Sequence, residues 1–203
     1  MAKRKVESDT ARRILDIAER LAQTRGFNAF SYADIAGALR ITKASLHYHF
    51  PTKAKLGERL IERYKTSFEA ALAHIDEASG DAGAQLRAYV AIYQNVLDSN
   101  RMCLCGMLSA DHDTLPKAMK EGVRRFFDAN EAWLVHALER GRAHGQLAFP
   151  GPPVEAARLI IAALEGAMLL ARTYGEPSRL RSTSDRLLAD LGVRATATLA
   201  AAS

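Results

Sequence analysis

The sequence predicts an all-α protein of about nine helices, and three observations support that fold class. Apolar residues recur with a period near 3.6 along most of the chain, and no segment keeps a period of two. Residues that start and stop helices flank these periodic segments. Hydrophobic residues make up 48% of the 203 residues, which is enough for a buried core. We expect a small N-terminal three-helix domain followed by a larger helical domain.

The first two helices are predicted from an apolar stripe and from capping residues. The stripe runs over about residues 10–25 and stops at Gly26, a residue type that commonly follows a helix end. Ser31 precedes Asp34 by three positions, which predicts a capping box at the start of a second helix that ends near Leu39.

The third and fourth helices follow closely. Thr42 can cap a short helix over residues 43–49, and the Phe50-Pro51 pair ends it because the residue before proline avoids helical geometry. Thr52 can cap a long fourth helix, whose apolar face begins at Leu56.

Five further helices are expected in the rest of the chain. Clear loops are predicted over residues 78–83, whose sequence is ASGDAG, and over Gly145–Pro153. A mobile tail is expected over 195–203, which carries no anchoring residues. We therefore divide the chain into domains 1–53 and 54–194 and that tail. The five helices are predicted over 85–98, 104–110, 117–143, 154–173 and 178–191.

Positive charge is concentrated at the N-terminus. Residues 1–60 hold twelve Lys or Arg and six Asp or Glu, a net charge of +6, whereas the whole chain carries 28 minus 23, or +5. The other 143 residues therefore sum to −1. A basic module on a near-neutral body indicates a polyanionic partner for that module, although a net +6 over sixty residues also fits ordinary surface chemistry.

The second and third helices, joined by a short turn at residues 39–42, fit a helix-turn-helix. Ile35, Leu39, Ile41 and Leu46 are apolar where the pair would pack against the first helix. The outward side of the third helix offers hydrogen-bond donors, an aromatic ring and a fixed charge, and such a helix fits the major groove of DNA. The residues of this outward side are Lys43, Ala44, Ser45, His47, Tyr48 and His49.

These residues belong to a longer stretch, Phe27–Leu56, that closely resembles the DNA-binding motif of TetR-family regulators. The matching segments, with Ile14-Leu15 and Gly26-Phe27 before them, are Asp34-Ile35-Ala36, Ile41-Thr42-Lys43, Ser45-Leu46, Tyr48-His49-Phe50, Lys53 and Leu56. The resemblance implies a regulator, most often a repressor, that binds a palindromic operator in double-stranded DNA as a homodimer. A small-molecule effector would release it. An activator or an effector-independent DNA-binding protein remains the alternative.

Roles within this motif are predicted from position. Ser31, Tyr32, Thr52 and Lys53 lie at the starts of the second and fourth helices, where backbone amides attract phosphate. Thr42 caps the third helix. Lys43, Tyr48 and His49 are expected on the DNA backbone, and Ala44, Ser45 and His47 on base edges. The segment Lys3-Arg4-Lys5 either enters an adjacent groove or is a solubilising tail.

Two residues depart from the family pattern. Arg40 stands where glycine is usual in the turn, at a cost of about 1 kcal/mol if its φ is positive. His47 stands where tyrosine is commoner, so the operator of relatives cannot be assumed for this chain.

The last two helices are the predicted dimer interface. The helix over 154–173 is apolar on more than one side, which requires burial by its own domain and by a partner. Ala157, Ala163, Gly166 and Ala167 allow close helix approach, and the alternative is that both helices are simply core. The predicted interface residues are Ile160, Ile161, Leu164, Ala167, Met168, Leu180, Leu187, Leu188 and Leu191.

An effector pocket is expected among the aromatic and methionine residues of the body, which suit an adaptable apolar pocket but equally an ordinary core. The candidates are Tyr89, Tyr93, Met102, Met107, Phe126, Trp133, His136 and Met168.

The remaining chemistry is sparse. Cys103 and Cys105 with His112 suggest a metal site or a redox switch. No fourth metal ligand is evident, so we expect the two cysteines to be buried core residues and to bind no metal. No Gly-rich phosphate loop, HExxH or nucleophile elbow appears, so we expect no enzyme and no cofactor. The apolar run 159–171 is too short to span a bilayer, and no secretory leader is evident, which favours a soluble, cytoplasmic protein.

Overall fold

The computed structural model describes residues 8–193, which form α-helices and two short 3₁₀ turns, with no strand among them. The all-α prediction is confirmed. The segment Lys3-Arg4-Lys5 and the tail 195–203 lie outside the described residues. The helices are α1 (Asp9–Arg25), α2 (Tyr32–Leu39), α3 (Lys43–His49), α4 (Lys53–Ala78), α5 (Ala82–Asp98), α6 (Leu104–Ala110), α7 (Lys117–Ala143), α8 (Pro153–Tyr174) and α9 (Ser178–Asp190).

Helix α5 begins three residues earlier than predicted. The side chain of Asp81 accepts a 2.6 Å hydrogen bond from the backbone N–H of Ala84, so it caps the helix from within the segment expected to be a loop. Gly83 therefore lies in the first turn of α5, and the connection from α4 is only residues 79–81.

The described residues cluster into two units. The first takes in the residues up to Ala70 together with Asn100–Asp128, and the second takes in Ala71–Ser99 with the residues from Ala129 onward. Helices α4, α5 and α7 are long, and α4 and α7 contribute to both units. The domain boundaries at 53/54 and 194/195 stay predictions.

The core of the first unit holds α1 against the helix-turn-helix and against α6. Ile14, Ile35 and Leu46 have no exposed surface and come from α1, α2 and α3. The backbone N–H of Met102 bonds to the carbonyl of Gln23 at 3.2 Å, which fixes the segment before α6 to α1. Helix α4 passes close to α7 at Gly57, where an added Cβ would collide with the side chain of Met119.

The second unit is built on α8, which packs along α9 and against α5. Ala157, Leu164 and Met168 form the buried stripe of α8, and Leu180 is a buried residue of α9. Gly141 allows Ala82 and Leu147 to pack directly on α7, because a Cβ there would collide with both side chains.

The two cysteines are buried in the first unit, as expected for core residues. The Sγ of Cys103 accepts the backbone N–H of Gly106 at 3.5 Å and so lies at the start of α6. Over residues 8–193, no group of three or more His, Cys, Asp or Glu side chains is placed to hold a metal ion. None of the helices in that range is long and apolar enough to cross a membrane.

Candidate nucleic-acid interface

The turn between α2 and α3 is set by a residue in the left-handed helical region. Arg40 has φ 55° and ψ 43°, and its N–H bonds to the carbonyl of Gly37 at 3.3 Å. The next N–H, of Ile41, bonds to the carbonyl of Ala36 at 3.1 Å, which closes the end of α2. Thr42 then caps α3 by accepting the N–H of Ser45 at 3.1 Å. These bonds fix the angle at which α3 leaves the turn.

Helix α3 is anchored by one residue and otherwise faces outward. Leu46 is fully buried, whereas Tyr48 is 84% exposed and Lys43 is also exposed. Ser45 and His49 are half-buried at the edges of this surface. The remaining predicted contact residues, Ala44 and His47, are exposed. Every α3 residue except Leu46 is therefore exposed or half-buried, and the contacts of the six predicted residues with DNA stay predictions.

Tyr32 connects the start of α2 to the end of α3. Its hydroxyl donates to the carbonyl of Phe50 at 2.7 Å, and its ring lies 4.8 Å from the ring of His47. Burial raises the pKa of Tyr32 to about 12. His47 itself bonds through Nδ1 to the carbonyl of Pro51 at 3.1 Å, so Nδ1 must carry the hydrogen because a carbonyl only accepts.

Ser31 and Thr52 cap the helices at which phosphate contacts were predicted. Ser31 accepts the N–H of Ala33 and donates to Asp34, whose carboxylate also accepts the N–H of Ser31 at 2.7 Å. These bonds to Ser31 lower the pKa of Asp34. Thr52 accepts the N–H of Lys55 at 3.1 Å, which leaves its hydroxyl hydrogen available to a phosphate.

Lys53 has an intramolecular partner that the sequence did not reveal. Its ammonium donates to the carbonyl of Phe30 and lies 4.7 Å and 4.4 Å from the ring centres of Phe27 and Phe30. Desolvation by burial lowers the pKa of Lys53. The side chain therefore ties the start of α4 to the segment before α2, and its predicted phosphate contact stays a prediction.

Most of the predicted dimer residues are buried within one chain, and their place in an interface stays a prediction. The six buried residues are Ile160, Leu164, Ala167, Met168, Leu180 and Leu191. Ile161, Leu187 and Leu188 are half-buried. Helix α8 also leaves open apolar side chains that are not among these nine, since Leu159, Leu169 and Leu170 are 60%, 52% and 53% exposed.

Three of the predicted effector residues meet in the second unit. The Tyr89 ring stacks on Trp133 with centroids 5.6 Å apart, and the Tyr89 hydroxyl lies 3.2 Å from that of Tyr93. Asn130, which was not predicted, accepts from Tyr89 at 2.8 Å and donates to Tyr93 at 3.2 Å. The indole N–H of Trp133 donates to Asp76 at 2.9 Å.

The other predicted effector residues are dispersed. Met102 and Met107 belong to the first unit, as does Phe126, which packs on Tyr64 and Phe68. His136 is exposed and Met168 is buried in α8, both in the second unit, and their part in an effector site stays a prediction. A cleft of about 270 Å³ lies in the first unit between α4 and α7. It is lined by charged side chains such as Arg59, Glu62 and Arg125 and by none of the eight predicted residues.

The N-terminal and C-terminal parts of the chain each match a model of the same family of regulatory proteins. Residues 14–60 match the family model described as "Bacterial regulatory proteins, tetR family", and residues 82–187 match "Tetracyclin repressor-like, C-terminal domain". The HTH-type transcriptional repressor NemR of Escherichia coli strain K12 is 28% identical over 172 residues, which cover 82% of this chain and 85% of NemR.

Solved structures agree with the sequence comparison. A TetR-family transcriptional regulator from Agrobacterium tumefaciens superposes with a TM-score of 0.86 at 34% identity, covering 89% of this chain and 96% of that one. A TetR regulator from Legionella pneumophila gives 0.83 at 34% identity, covering 91% and 98%.

Proposed function

The chain belongs to the TetR family of bacterial regulatory proteins, and we propose that it is a dimeric repressor. The protein binds a palindromic operator through α3 and releases it when a small molecule binds the second unit. Its relative NemR is named a transcriptional repressor, which supports repression over activation. We also propose that it acts in the cytoplasm, because a regulator of this kind binds DNA there. We propose no enzymatic activity.

The observation that carries this proposal is the exposed side of α3. Tyr48 is 84% exposed, more than any other large hydrophobic side chain in residues 8–193, and it lies on α3 with the exposed Lys43 and His47. A helix of about two turns that offers an aromatic ring, a charge and hydrogen-bonding groups fits the major groove.

The contacts on DNA divide by chemistry. Lys43 carries a mobile ammonium and Tyr48 a hydroxyl, so both are assigned to phosphates, together with Thr42, Thr52 and His49. Ser31, Tyr32 and Lys53 act through the backbone amides and helix ends that they hold in place. Ala44, Ser45 and His47 read base edges, with His47 using the ring nitrogen that Pro51 leaves free.

A dimer is proposed because one helix-turn-helix reads only a half-site, and two-fold related copies read two half-sites about one helical turn apart. The side of α8 that carries Leu159, Gly166 and Leu170 is the proposed interface. These residues lie at spacings of seven and four, so they share one side of the helix. An added Cβ at Gly166 would meet nothing, which leaves room for a partner helix to approach closely.

The effector is proposed to bind beside Tyr89, Tyr93 and Trp133 in the second unit. Aromatic side chains with a few convergent polar groups are the usual lining of small-molecule sites. Trp133 is the single tryptophan of the chain, so its fluorescence would report directly on a ligand there.

The function is tested by selecting genomic fragments with the purified full chain. Selected duplexes are then measured by gel shift at fixed salt, with and without a panel of small apolar compounds. We expect a palindromic site bound by two copies, and at least one compound that both releases the DNA and changes Trp133 fluorescence. Weak binding that is equal for all sequences would contradict the proposal.

A further inference from the structure

We infer that Arg40 is a further DNA-contacting residue, whose guanidinium binds an operator phosphate at the N-terminal end of α3. The inference rests on the proposed function, because only a DNA-bound α3 brings a phosphate to this turn. The family pattern has glycine at the position of Arg40. The inference therefore applies to this chain and not to the family in general.

The first support is the backbone of Arg40. The bonds that end α2 hold this residue at φ 55° and ψ 43°, a region where a side chain is disfavoured and glycine is not. Within residues 8–193, only Arg40 and Asn100 among non-glycine residues have positive φ. A non-glycine residue in this conformation at a surface turn therefore suggests a functional role for its side chain.

The second support is that the Arg40 side chain is exposed and has no ion-pair partner in the described part of the chain. Arg63 is a useful contrast, because Asp16 and Glu19 hold its guanidinium at 2.7 Å and 2.6 Å. Arg40 therefore keeps all five guanidinium N–H donors available to an external anion.

The third support is the position of Arg40 next to α3. Arg40 precedes Thr42, the cap of α3, by two residues, and Lys43 begins the helix. The N-terminal end of a recognition helix is the end that reaches the groove, so the flanking phosphates lie on the same side as this turn. Guanidinium matches the geometry of two phosphate oxygens.

A purely structural role has to be separated from this one. A positive side chain at the C-terminus of α2 interacts favourably with the helix dipole, so Arg40 could serve only α2. The two roles predict different DNA binding after replacement by glycine. If Arg40 serves only α2, Arg40→Gly leaves DNA binding unchanged. If Arg40 contacts DNA, the variant is more stable and binds DNA less well.

The test compares Arg40→Gly, Arg40→Lys and the matched control Asn100→Gly in the full chain. The probes are the selected operator and an unrelated duplex of about 30 base pairs, long enough for two half-sites. Binding is measured by fluorescence anisotropy between about 50 and 200 mM salt, and Tm is measured by circular dichroism.

We expect Arg40→Gly to raise Tm by about 2–4 °C and to weaken binding to both duplexes about tenfold. The slope of log affinity against log salt should become shallower by about one for each subunit. Arg40→Lys should keep the wild-type slope because it keeps the charge. Asn100→Gly should leave both Tm and DNA binding close to wild type, because asparagine tolerates positive φ.

The outcomes separate the inference from the function on which it rests. Wild-type affinity and slope in Arg40→Gly would overturn the inference alone. If that variant also had a lower Tm, the guanidinium would be assigned to α2 alone. A wild-type protein that selects no DNA would overturn both the inference and the proposed function.

Discussion

The hydroxyl of Tyr32 donates a 2.7 Å hydrogen bond to the carbonyl oxygen of Phe50, so the first residue of α2 holds the residue that ends α3. The bond closes the helix-turn-helix on the side opposite its turn. The Arg40 turn and this bond together fix both ends of α3, while the exposed side of the helix stays free. A recognition helix held at both ends can be presented to DNA without reordering.

Tyr32→Phe removes this bond and leaves the Phe50 carbonyl without its donor. We expect the free energy of unfolding to fall by about 1 kcal/mol, measured by urea denaturation at neutral pH. Tyr48→Phe is the matched control, because the Tyr48 hydroxyl is exposed and its loss should not change stability. Equal stability of wild type and Tyr32→Phe would contradict the role of the bond.

The pH dependence of Tyr32 has a defined sign. Its pKa is raised from 10.0 to about 12 in the folded protein. A raised folded-state pKa stabilises the fold below the unfolded value, and that contribution is lost as pH rises from about 10 through 12. The stability difference between wild type and Tyr32→Phe should therefore shrink over this range, and a constant difference would contradict the assignment.

Lys43→Ala should weaken DNA binding without changing stability, because the Lys43 side chain is exposed at the start of α3. Loss of a phosphate contact lowers affinity similarly for all sequences and makes the salt slope shallower by about one for each subunit. Anisotropy titrations on operator and unrelated DNA measure both quantities. An unchanged slope would remove Lys43 from the phosphate contacts.

Lys53→Ala should behave differently from Lys43→Ala. The Lys53 ammonium bonds to the Phe30 carbonyl and lies over two phenylalanine rings, so its loss should lower the free energy of unfolding by about 1–2 kcal/mol. Thermal denaturation of the two variants side by side measures the difference. A Lys53→Ala protein as stable as Lys43→Ala would show that these contacts add nothing to the fold.

His47→Ala should change which bases are preferred at one or two positions of each half-site, by about 1–3 kcal/mol. The reason is that the Pro51 bond fixes the imidazole ring at the exposed side of α3. Repeating the fragment selection with the variant measures the change. If the selected sequence is the same as for wild type, His47 does not read bases, and Ser45→Ala becomes the next variant.

The sequence was sufficient where local chemistry determines the structure. Start and stop residues predicted α3 at its observed bounds, and the Ser31–Asp34 pair forms the expected capping box. The partner of Lys53 could not be predicted, because Phe30 lies 23 residues earlier and no local pattern joins them. The partner of Tyr89 on α7, Asn130, is 41 residues away and was missed for the same reason.

The open side of α8 could not be predicted for a different physical reason. Helix α8 is apolar almost all round, and a periodic pattern cannot say which apolar side its own chain covers. Packing on α5 and α9 buries Leu164 and Met168 and leaves Leu159 and Leu170 open. Only the positions of the neighbouring helices distinguish the two sides.

Leu170→Asp should therefore convert the dimer to a monomer, whereas a change in the buried stripe would unfold the second unit. Leu170 is 53% exposed, so a carboxylate is solvated in the free chain, but at an interface it would be buried without a partner. Sedimentation equilibrium measures the mass, and circular dichroism confirms that the helices are kept. Ser67→Asp, an equal change in charge on the exposed side of α4, is the control and should remain dimeric.

Since two half-sites are bound together, the monomer should also lose most operator affinity through lost avidity. A Leu170→Asp protein that stays dimeric would place the interface elsewhere, because an unpaired aspartate on each copy cannot be accommodated in a closely packed apolar contact.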